Sequence, residues 1–267
     1  MIKTRKSKLL IIVITIIFIF TACDNGINEL TLNAGLTPDN PITRVESIHL
    51  GNMADANSGW RQLLAEIEAA GQYVALDLSA ATMNGTVFYP DPTVETGKRF
   101  IVSLVLPGAA ASIVRANQIF GTDPNTGSST VTLKQTFRYF IELKEVTGRN
   151  IISIGLWAFR NIPLISISFP AVECIAGAFQ FTNLTNIYIP AVRIIDSFSF
   201  AGSNSLTSIT LGSTPPFILG PIFFNSGTAP RTITFYVPCI DTYITAGTPW
   251  SDMMGPWNSS IGNFWDS

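Results

Sequence analysis

The sequence predicts a repeat solenoid, in which short coils stack around a single parallel β-sheet with turns on the opposite side and one capping helix at the N-terminal end. Three observations predict it. Short apolar runs recur along the chain, a phenylalanine recurs between successive runs, and the runs are 20 to 37 residues apart, a spacing typical of solenoids. One coil buries too few apolar side chains to offset the entropy lost in ordering its backbone. Neighbouring coils must therefore share one core.

The strands are predicted from alternation within each apolar run. In "LTNIYIP" the polar Asn186 and the aromatic Tyr188 are flanked by isoleucines, the pattern of a strand with one buried face. Seven runs align on their last inward residue: Leu78, Leu106, Leu143, Phe169, Ile189, Leu211 and Val237. The longest interval contains the turn-rich segment "GTDPNTGSST" at 121–130, which we expect to be an insertion that bulges from a coil.

Aromatic residues between the strands supply the predicted core. Phe159, Phe179 and Phe200 each follow an isoleucine by four or five positions. We expect these three rings to stack in register inside the solenoid.

The residues between the inward positions are predicted to form one outward surface, because side chains alternate across a strand. Small hydroxyls and a few aromatic rings dominate it, a composition that suits protein binding. The predicted binding residues are Asp77, Phe140, Glu142, Ser168, Asn186, Tyr188, Thr210 and Tyr236. A sheet face that is merely soluble stays an alternative, since exposed strands also favour serine and threonine.

The N-terminal residues 1–22 read as a secretory signal peptide. Four basic residues precede an apolar stretch at 9–20 that is short for a membrane span. The stretch ends in Phe20-Thr21-Ala22-Cys23, which resembles the lipobox of bacterial lipoproteins and makes Cys23 the expected lipidation site. An ordinary secretory signal with an incidental cysteine is the alternative. Residues 23–43 are predicted to be the lipidated cysteine and a flexible tether.

A helix is predicted in "SGWRQLLAEIEAAG", where Trp60, Leu63, Leu64 and Ile67 share one helical face and Gly71 is a suitable end. We expect it to lie over the first strand and close the edge of the sheet. The predicted domains are an N-terminal cap with this helix and the first strand at 44–100, the solenoid at 101–238, and a C-terminal cap at 239–267. The aromatic residues of that last segment, at 250–265, also suit an exposed partner contact.

Composition argues against several functions. The chain has 16 basic and 18 acidic residues, and removal of the four basic residues of the signal leaves 12 against 18, a net charge of −6. Nucleic acid is therefore not an expected partner. Cys174 and Cys239 match no metal spacing and are predicted to be small core residues, with a disulfide between them as the alternative. A single histidine excludes mechanisms that need two.

No catalytic constellation is recognisable, so neither enzymatic activity nor a cofactor is expected. The segment "ETGKRF" at 95–100 lacks the first glycine and the hydroxyl residue of a phosphate loop, and we predict a solvated turn there. The carboxylates of Asp77 and Glu142 fall in different coils, which disfavours a glycosidase pair.

The motif "AF…N-x-x-L-T-x-I-x-I-P" resembles the BspA-type leucine-rich repeat of surface proteins from spirochaetes and oral anaerobes. The likeness is strongest over residues 151–211, whereas the coils before residue 150 lack the "AF" pair. The resemblance implies a leucine-rich-repeat solenoid in a non-enzymatic, lipid-anchored surface protein of the outer membrane. Expected partners are host extracellular matrix proteins or bacterial surface proteins, bound in adhesion. A structural envelope lipoprotein on the periplasmic side, acting in assembly or spacing, is the alternative.

Overall fold

A computed structural model describes residues 34–113, 117–122, 129–224 and 233–238, with 117–122 and 129–134 described through their backbone alone. These residues form a solenoid built on parallel ladders of short strands, which confirms the predicted fold class. Six coils each contribute one strand to a long sheet and, on the opposite side, a two-residue strand to a second sheet, whereas the first and last described strands belong to the long sheet alone.

The first sheet has eight parallel strands in the order β1-β2-β4-β8-β10-β12-β14-β16. Its strands alternate between buried apolar residues and more exposed ones, as β12 shows with the pattern exposed, buried, exposed, buried. The bounds are β1 Ile42–Val45, β2 Val74–Asp77, β4 Ile101–Val105, β8 Glu145–Thr147, β10 Ser166–Ser168, β12 Asn186–Ile189, β14 Ser208–Leu211 and β16 Thr234–Tyr236.

The second sheet lies on the side where only turns were expected. It has six strands in the order β15-β13-β11-β9-β5-β3, and the pairings are parallel. Each strand is two residues long, too short for alternation to be recognised in the sequence. The bounds are β3 Val87–Phe88, β5 Ser112–Ile113, β9 Ser153–Ile154, β11 Cys174–Ile175, β13 Ile194–Ile195 and β15 Phe217–Ile218.

An antiparallel hairpin interrupts the coil between β5 and β8. Its strands, β6 Asn117–Thr122 and β7 Ser129–Lys134, pair only with each other. The insertion predicted at 121–130 includes the last two residues of β6 and the first two of β7. The two main sheets continue past it, because β4 pairs directly with β8 and β5 with β9.

Phenylalanine rings stack along the interior of the solenoid. The centroids of Phe159 and Phe179 are 5.4 Å apart with planes 4° apart, and those of Phe179 and Phe200 are 5.9 Å apart with planes 5° apart. The predicted stack is therefore confirmed. It also extends in both directions, through Phe137 at 4.3 Å from Phe159 and Phe223 at 5.8 Å from Phe200.

The predicted alignment of the third strand on Leu143 is wrong. Glu145, not a residue of "RYFIELK", pairs with Ser166, so the strand is β8. The segment "TFRYF" at 136–140 forms the corner that "AFRNI" at 158–162 forms in the next coil, since Phe137 stacks on Phe159. This shift carries the side chains of 140–142 away from the outward face of the sheet.

Gly148 explains why β8 was not recognised in the sequence. Gly148 follows β8 at the position where other coils have a large inward residue. A Cβ atom on Gly148 would lie 2.6 Å from Ile151 Cγ1 and 3.0 Å from Phe169 Cε1. The Phe169 ring of the next coil thus fills the space beside Gly148, and the repeat loses the apolar residue on which the alignment relied.

The predicted helix forms as α1, Gly59–Ala70, with its four predicted apolar residues buried. The Ser58 side chain accepts a hydrogen bond from the Arg61 N–H, and Gly71 ends the helix with a left-handed backbone at φ 62°. However, α1 does not close the sheet edge. β1, which was not predicted, pairs with β2 there, and α1 connects these two strands.

The described part of the predicted tether is packed against the solenoid. The Tyr73 N–H donates to the Gly35 carbonyl at 2.7 Å, and the Lys144 ammonium pairs with the Asp39 carboxylate at 2.5 Å. The tether prediction for residues 34–43 is therefore wrong, because these backbone and charge contacts hold them in place. Cys23 and the rest of the tether lie outside the described residues, as do Cys239 and the C-terminal segment 239–267.

The prediction that Cys174 is a core residue is also wrong. Cys174 is half-exposed on the outer side of β11, and the next residue, Ile175, points inward. Its thiol is free. Partial burial, together with the nearby Asp196 carboxylate, raises the pKa of this thiol. None of the helices formed by the described residues has the length and apolar character needed to span a bilayer.

Candidate protein-binding face

The parallel register brings the outward residues of the first sheet into two columns, which we call the outward face. Strands in such a ladder lie about 4.8 Å apart, so each column is a continuous row of side chains. The first column is Val45, Asp77, Val105, Thr147, Ser168, Tyr188, Thr210 and Tyr236, and the second is Thr43, Ala75, Ser103, Glu145, Ser166, Asn186, Ser208 and Thr234.

Six of the eight predicted binding residues lie on this face. The structure brings them together in the columns as follows: Asp77, Ser168, Tyr188, Thr210 and Tyr236 in the first, Asn186 in the second. The predictions for Phe140 and Glu142 are wrong. Phe140 is fully buried and packs on the Phe137 ring at 5.2 Å, and Glu142 lies in the turn before β8. Their places are taken by Glu145 and Thr147.

Two tyrosines stand out from the middle and the end of the first column. Tyr188 is 52% exposed and Tyr236 is 46% exposed, whereas the flanking Ile187 and Ile189 are buried. Thr210 lies between the tyrosines on the intervening strand, which places their Cα atoms about 10 Å apart by the strand spacing. An exposed phenol combines a large apolar area with a hydrogen-bonding group, and this combination favours interface contacts.

The polar side chains beside the tyrosines are held by hydrogen bonds between neighbouring strands. The Ser208 hydroxyl donates to Asn186 Oδ1 at 2.5 Å, and the Asn186 amide donates to Thr185 Oγ1 at 3.3 Å. The Thr207 hydroxyl donates to the Thr185 carbonyl at 3.1 Å. These bonds fix rotamers before any ligand arrives, which lowers the entropy cost of binding.

Charge divides the outward face along the solenoid axis. The N-terminal half carries the carboxylates of Asp77 and Glu145, and the Asp77 carboxylate accepts a hydrogen bond from the Ser79 N–H at 2.8 Å. From β10 to β16 both columns contain only hydroxyl, amide and phenol side chains. The C-terminal half can therefore contact a partner without desolvating a charge.

A buried lysine marks the N-terminal part of the core. Lys98 is fully buried, its ammonium donates to the Asp91 carbonyl at 2.5 Å, and it lies 5.3 Å from the Phe140 ring centroid. Burial lowers its pKa to about 7 from the model-peptide value of 10.5. The prediction of a solvated turn at 95–100 is thus wrong for Lys98, because the 3₁₀ helix Lys98–Phe100 packs under α1.

Ion pairs and hydrogen bonds of the described residues form a structural network around this lysine. The Asp91 carboxylate pairs with Arg61 of α1 at 3.5 Å and accepts bonds from Thr93. Lys98 is fully buried within this structural network. The described residues contain no group of three or more His, Cys, Asp or Glu side chains that could hold a metal ion.

A cleft beside α1 is lined by polar and apolar residues without a carboxylate, histidine or cysteine. His49 lies near it in sequence, is exposed, and shares a hydrogen bond with Thr82 Oγ1 at 2.9 Å. The cleft is lined by Gly51, Asn52, Met53, Asn84, Val87 and Tyr89. Among these described lining residues the Tyr89 phenol alone can titrate, and a single phenol is not a catalytic set.

Comparison with known proteins identifies the repeat. Residues 126–229 match the family model described as the BspA type leucine rich repeat region, in six copies. The match covers the coils from β7 to β15 and confirms the resemblance noted in the sequence. No curated protein and no solved structure gives a match.

Proposed function

Because residues 126–229 form a BspA-type leucine-rich repeat region, a region typical of protein-binding repeat proteins, we propose that the outward face binds a protein in adhesion. The partner would be a host extracellular matrix protein or a protein on another bacterium. The binding role requires no catalytic step, and the protein is proposed to be non-enzymatic.

One observation carries the proposal: the C-terminal half of the outward face joins two exposed tyrosines with an uncharged, hydrogen-bonded polar surface. Tyr188 and Tyr236 supply the aromatic anchors that dominate many interfaces. Ser208 and Asn186 supply a polar surround whose rotamers are already fixed. A soluble face with no ligand would need neither exposed tyrosine, since threonine suits an exposed strand as well.

The proposed location is the outer membrane surface, with the chain anchored through a lipid on Cys23. The basic N-terminus, the apolar stretch and the small residues before Cys23 support this anchor. An acyl chain would hold the protein to a membrane without a spanning helix. Edman sequencing or mass spectrometry of the mature N-terminus tests it, since an unmodified first residue other than Cys23 would contradict lipidation.

A second candidate is a structural lipoprotein on the periplasmic side of the envelope. Asp24, directly after the expected lipidation site, favours it, because an aspartate there retains enteric lipoproteins at the inner membrane. Protease treatment of intact cells separates the two locations. Loss of the protein supports surface display, and survival supports the periplasmic role.

Binding itself is tested with the purified protein on immobilised fibronectin and fibrinogen. We expect saturable binding that falls about tenfold or more in Tyr188→Ser/Tyr236→Ser, the loss expected when two interface tyrosines are removed. Phe217→Ser is the matched control, because Phe217 is 68% exposed but lies on the second sheet. Equal loss in the control, or no binding across a panel of host extracellular proteins, would count against the proposal.

A further inference from the structure

A second surface lies at the corner that follows the second sheet, where arginines alternate with aromatic residues. We call it the arginine–aromatic corner and define it by Arg138, Tyr139, Trp157, Arg160 and Phe181. We propose that this corner is a separate binding site for an acidic peptide segment of a protein partner, with the two guanidinium groups receiving its carboxylates.

The stack of phenylalanines sets the spacing of the two arginines. Arg138 directly follows Phe137, and Arg160 directly follows Phe159, whose rings are 4.3 Å apart in adjacent coils. The two arginines therefore occupy equivalent positions in adjacent coils, and the spacing of the coils places their backbones about 5 Å apart. Like charges so close repel each other unless an anion lies between them.

No anion of the protein takes that role. In the part of the chain that the structure describes, neither Arg138 nor Arg160 forms an ion pair, although other arginines do, such as Arg44 with Glu66. Arg160 Nε is buried and has no hydrogen-bond partner among the described residues. Because this Nε is enclosed by protein atoms, a carboxylate of a ligand would be received by the terminal nitrogens of the guanidinium.

Aromatic rings hold both arginines in place. The Arg160 guanidinium lies 4.4 Å from the Trp157 ring centroid and 5.5 Å from that of Phe181 in the next coil, and the Arg138 guanidinium lies 4.6 Å from the Tyr139 ring. Stacking covers the flat face of a guanidinium and leaves its N–H edge free. That edge matches a carboxylate through two parallel hydrogen bonds.

The backbone under the aromatic residues is strained. Tyr139, Trp157 and Phe181 have φ values of 74°, 58° and 56°, in the left-handed region that bulky residues avoid. Phe181 follows the stacked Phe179 by two residues, and the equivalent position in the next coil is Gly202, with φ 70°. Glycine would relieve the strain at each site, so the aromatic side chains are retained at a cost to folding, as is common at functional sites.

The geometry favours an acidic peptide over a lipid surface. A Cβ atom on Gly202 would lie 2.2 Å from Phe181 Cδ1, so one side of the Phe181 ring packs on the next coil, while the residue stays 43% exposed beside Arg160. Carboxylates two residues apart on an extended peptide are about 6.6 Å apart, a separation that two long arginine side chains with backbones about 5 Å apart can match. Arginine and aromatic residues together are also the commonest interface anchors.

The proposal is independent of the outward face, which lies on the other sheet, so each can fail alone. The test measures binding of a fluorescein-labelled peptide of alternating glutamate and leucine, and of its glutamine analogue, to the purified protein by fluorescence anisotropy. The variant is Arg138→Gln/Arg160→Gln. The control is Arg149→Gln, since Arg149 is exposed and lies in the turn after β8. Circular dichroism melting curves verify that each variant is folded.

We expect the glutamate peptide to bind at least tenfold more tightly than the glutamine peptide, and more weakly as salt concentration rises. The double variant should lose at least tenfold in affinity for the glutamate peptide, and the control should lose less than twofold. No binding by the unaltered protein, equal binding of both peptides, or equal loss in the control overturns the proposal. Binding to phosphatidylglycerol vesicles without binding to the peptide also overturns it, in favour of a lipid surface.

Discussion

Removal of one ring from the phenylalanine stack tests whether the coils share a core. Phe179 is fully buried and stacks on both sides, on Phe159 and on Phe200. Truncation of a buried phenylalanine to alanine costs about 3–5 kcal/mol. Each of the two aromatic pairs contributes about 0.5–1.5 kcal/mol beyond burial. Taking the lower values, about 3 kcal/mol for truncation and about 0.5 kcal/mol for each pair, we expect Phe179→Ala to lose at least about 4 kcal/mol, a large share of the roughly 5–15 kcal/mol typical of a folded domain.

Urea unfolding followed by far-ultraviolet circular dichroism measures this loss. With a slope of about 2 kcal/mol per molar urea, the midpoint should fall by about 2 M. The matched control is Phe217→Ala, which makes the same chemical change in the unfolded chain. Since Phe217 is 68% exposed on the second sheet, its loss should stay within about 0.5 kcal/mol.

A double-mutant cycle isolates the coupling between adjacent coils. Phe159→Leu and Phe179→Leu each keep an apolar side chain, and together they should show a coupling free energy of about 0.5–1.5 kcal/mol. A loss below about 1 kcal/mol in Phe179→Ala, or no coupling in the cycle, would refute the view that each coil supplies part of its neighbour's core.

Three further predictions follow from buried or half-buried groups. Gly148→Ala should cost about 1–3 kcal/mol through overpacking in urea unfolding, while Gly108→Ala should cost much less, since the nearest atom to its Cβ would be 3.6 Å away. Because burial lowers the pKa of Lys98 to about 7 from 10.5, the unfolded chain binds more protons between these pH values. Stability should rise with pH over that window by at most about 1.4 kcal/mol per pH unit, a rise that Lys98→Met should lose and Lys144→Met should keep. The raised pKa of Cys174 predicts slow alkylation by iodoacetamide at pH 7 and faster alkylation at pH 9, measured by peptide mass spectrometry, and full protection at pH 9 would contradict its half-exposed position.

The repeats from residue 151 onward could be predicted because each keeps the same inward residues. Phe159, Phe179 and Phe200 mark the interior, and strands such as β12 alternate clearly. The helix α1 was equally recognisable, since its buried residues, its Ser58 cap and its terminal Gly71 are all local signals.

The coil that contains β8 could not be aligned, because it has glycine where other coils have a large inward residue. Gly148 has no side chain, and the Phe169 ring fills the space beside it. The resemblance of "TFRYF" to "AFRNI" was the available signal, with Phe137 in the place of Phe159. Without it, Phe140 was assigned to the surface although it belongs to the core.

The remaining errors concern contacts between residues distant in sequence. β1 is recognisable as a strand only through its pairing with β2. Lys98 is buried because α1 and Asp91 enclose it, and a Gly-Lys-Arg sequence by itself indicates an exposed turn. Local pattern cannot show either contact, because burial and strand pairing depend on which segments the fold brings together.

The arrangement of inward and outward residues explains how one scaffold could carry both of the proposed binding surfaces. The inward positions beside the outward columns are apolar in the first-sheet strands, except at Arg44 of β1, so the coils share one core. The outward positions change along the axis, from carboxylates at Asp77 and Glu145 to tyrosines at Tyr188 and Tyr236. Since these side chains contribute little to the core, they can vary without loss of the fold. The arginine–aromatic corner differs, because its strained aromatic residues lower stability where glycine would not. A binding role is therefore best supported for residues that the fold does not need, and for residues that lower its stability.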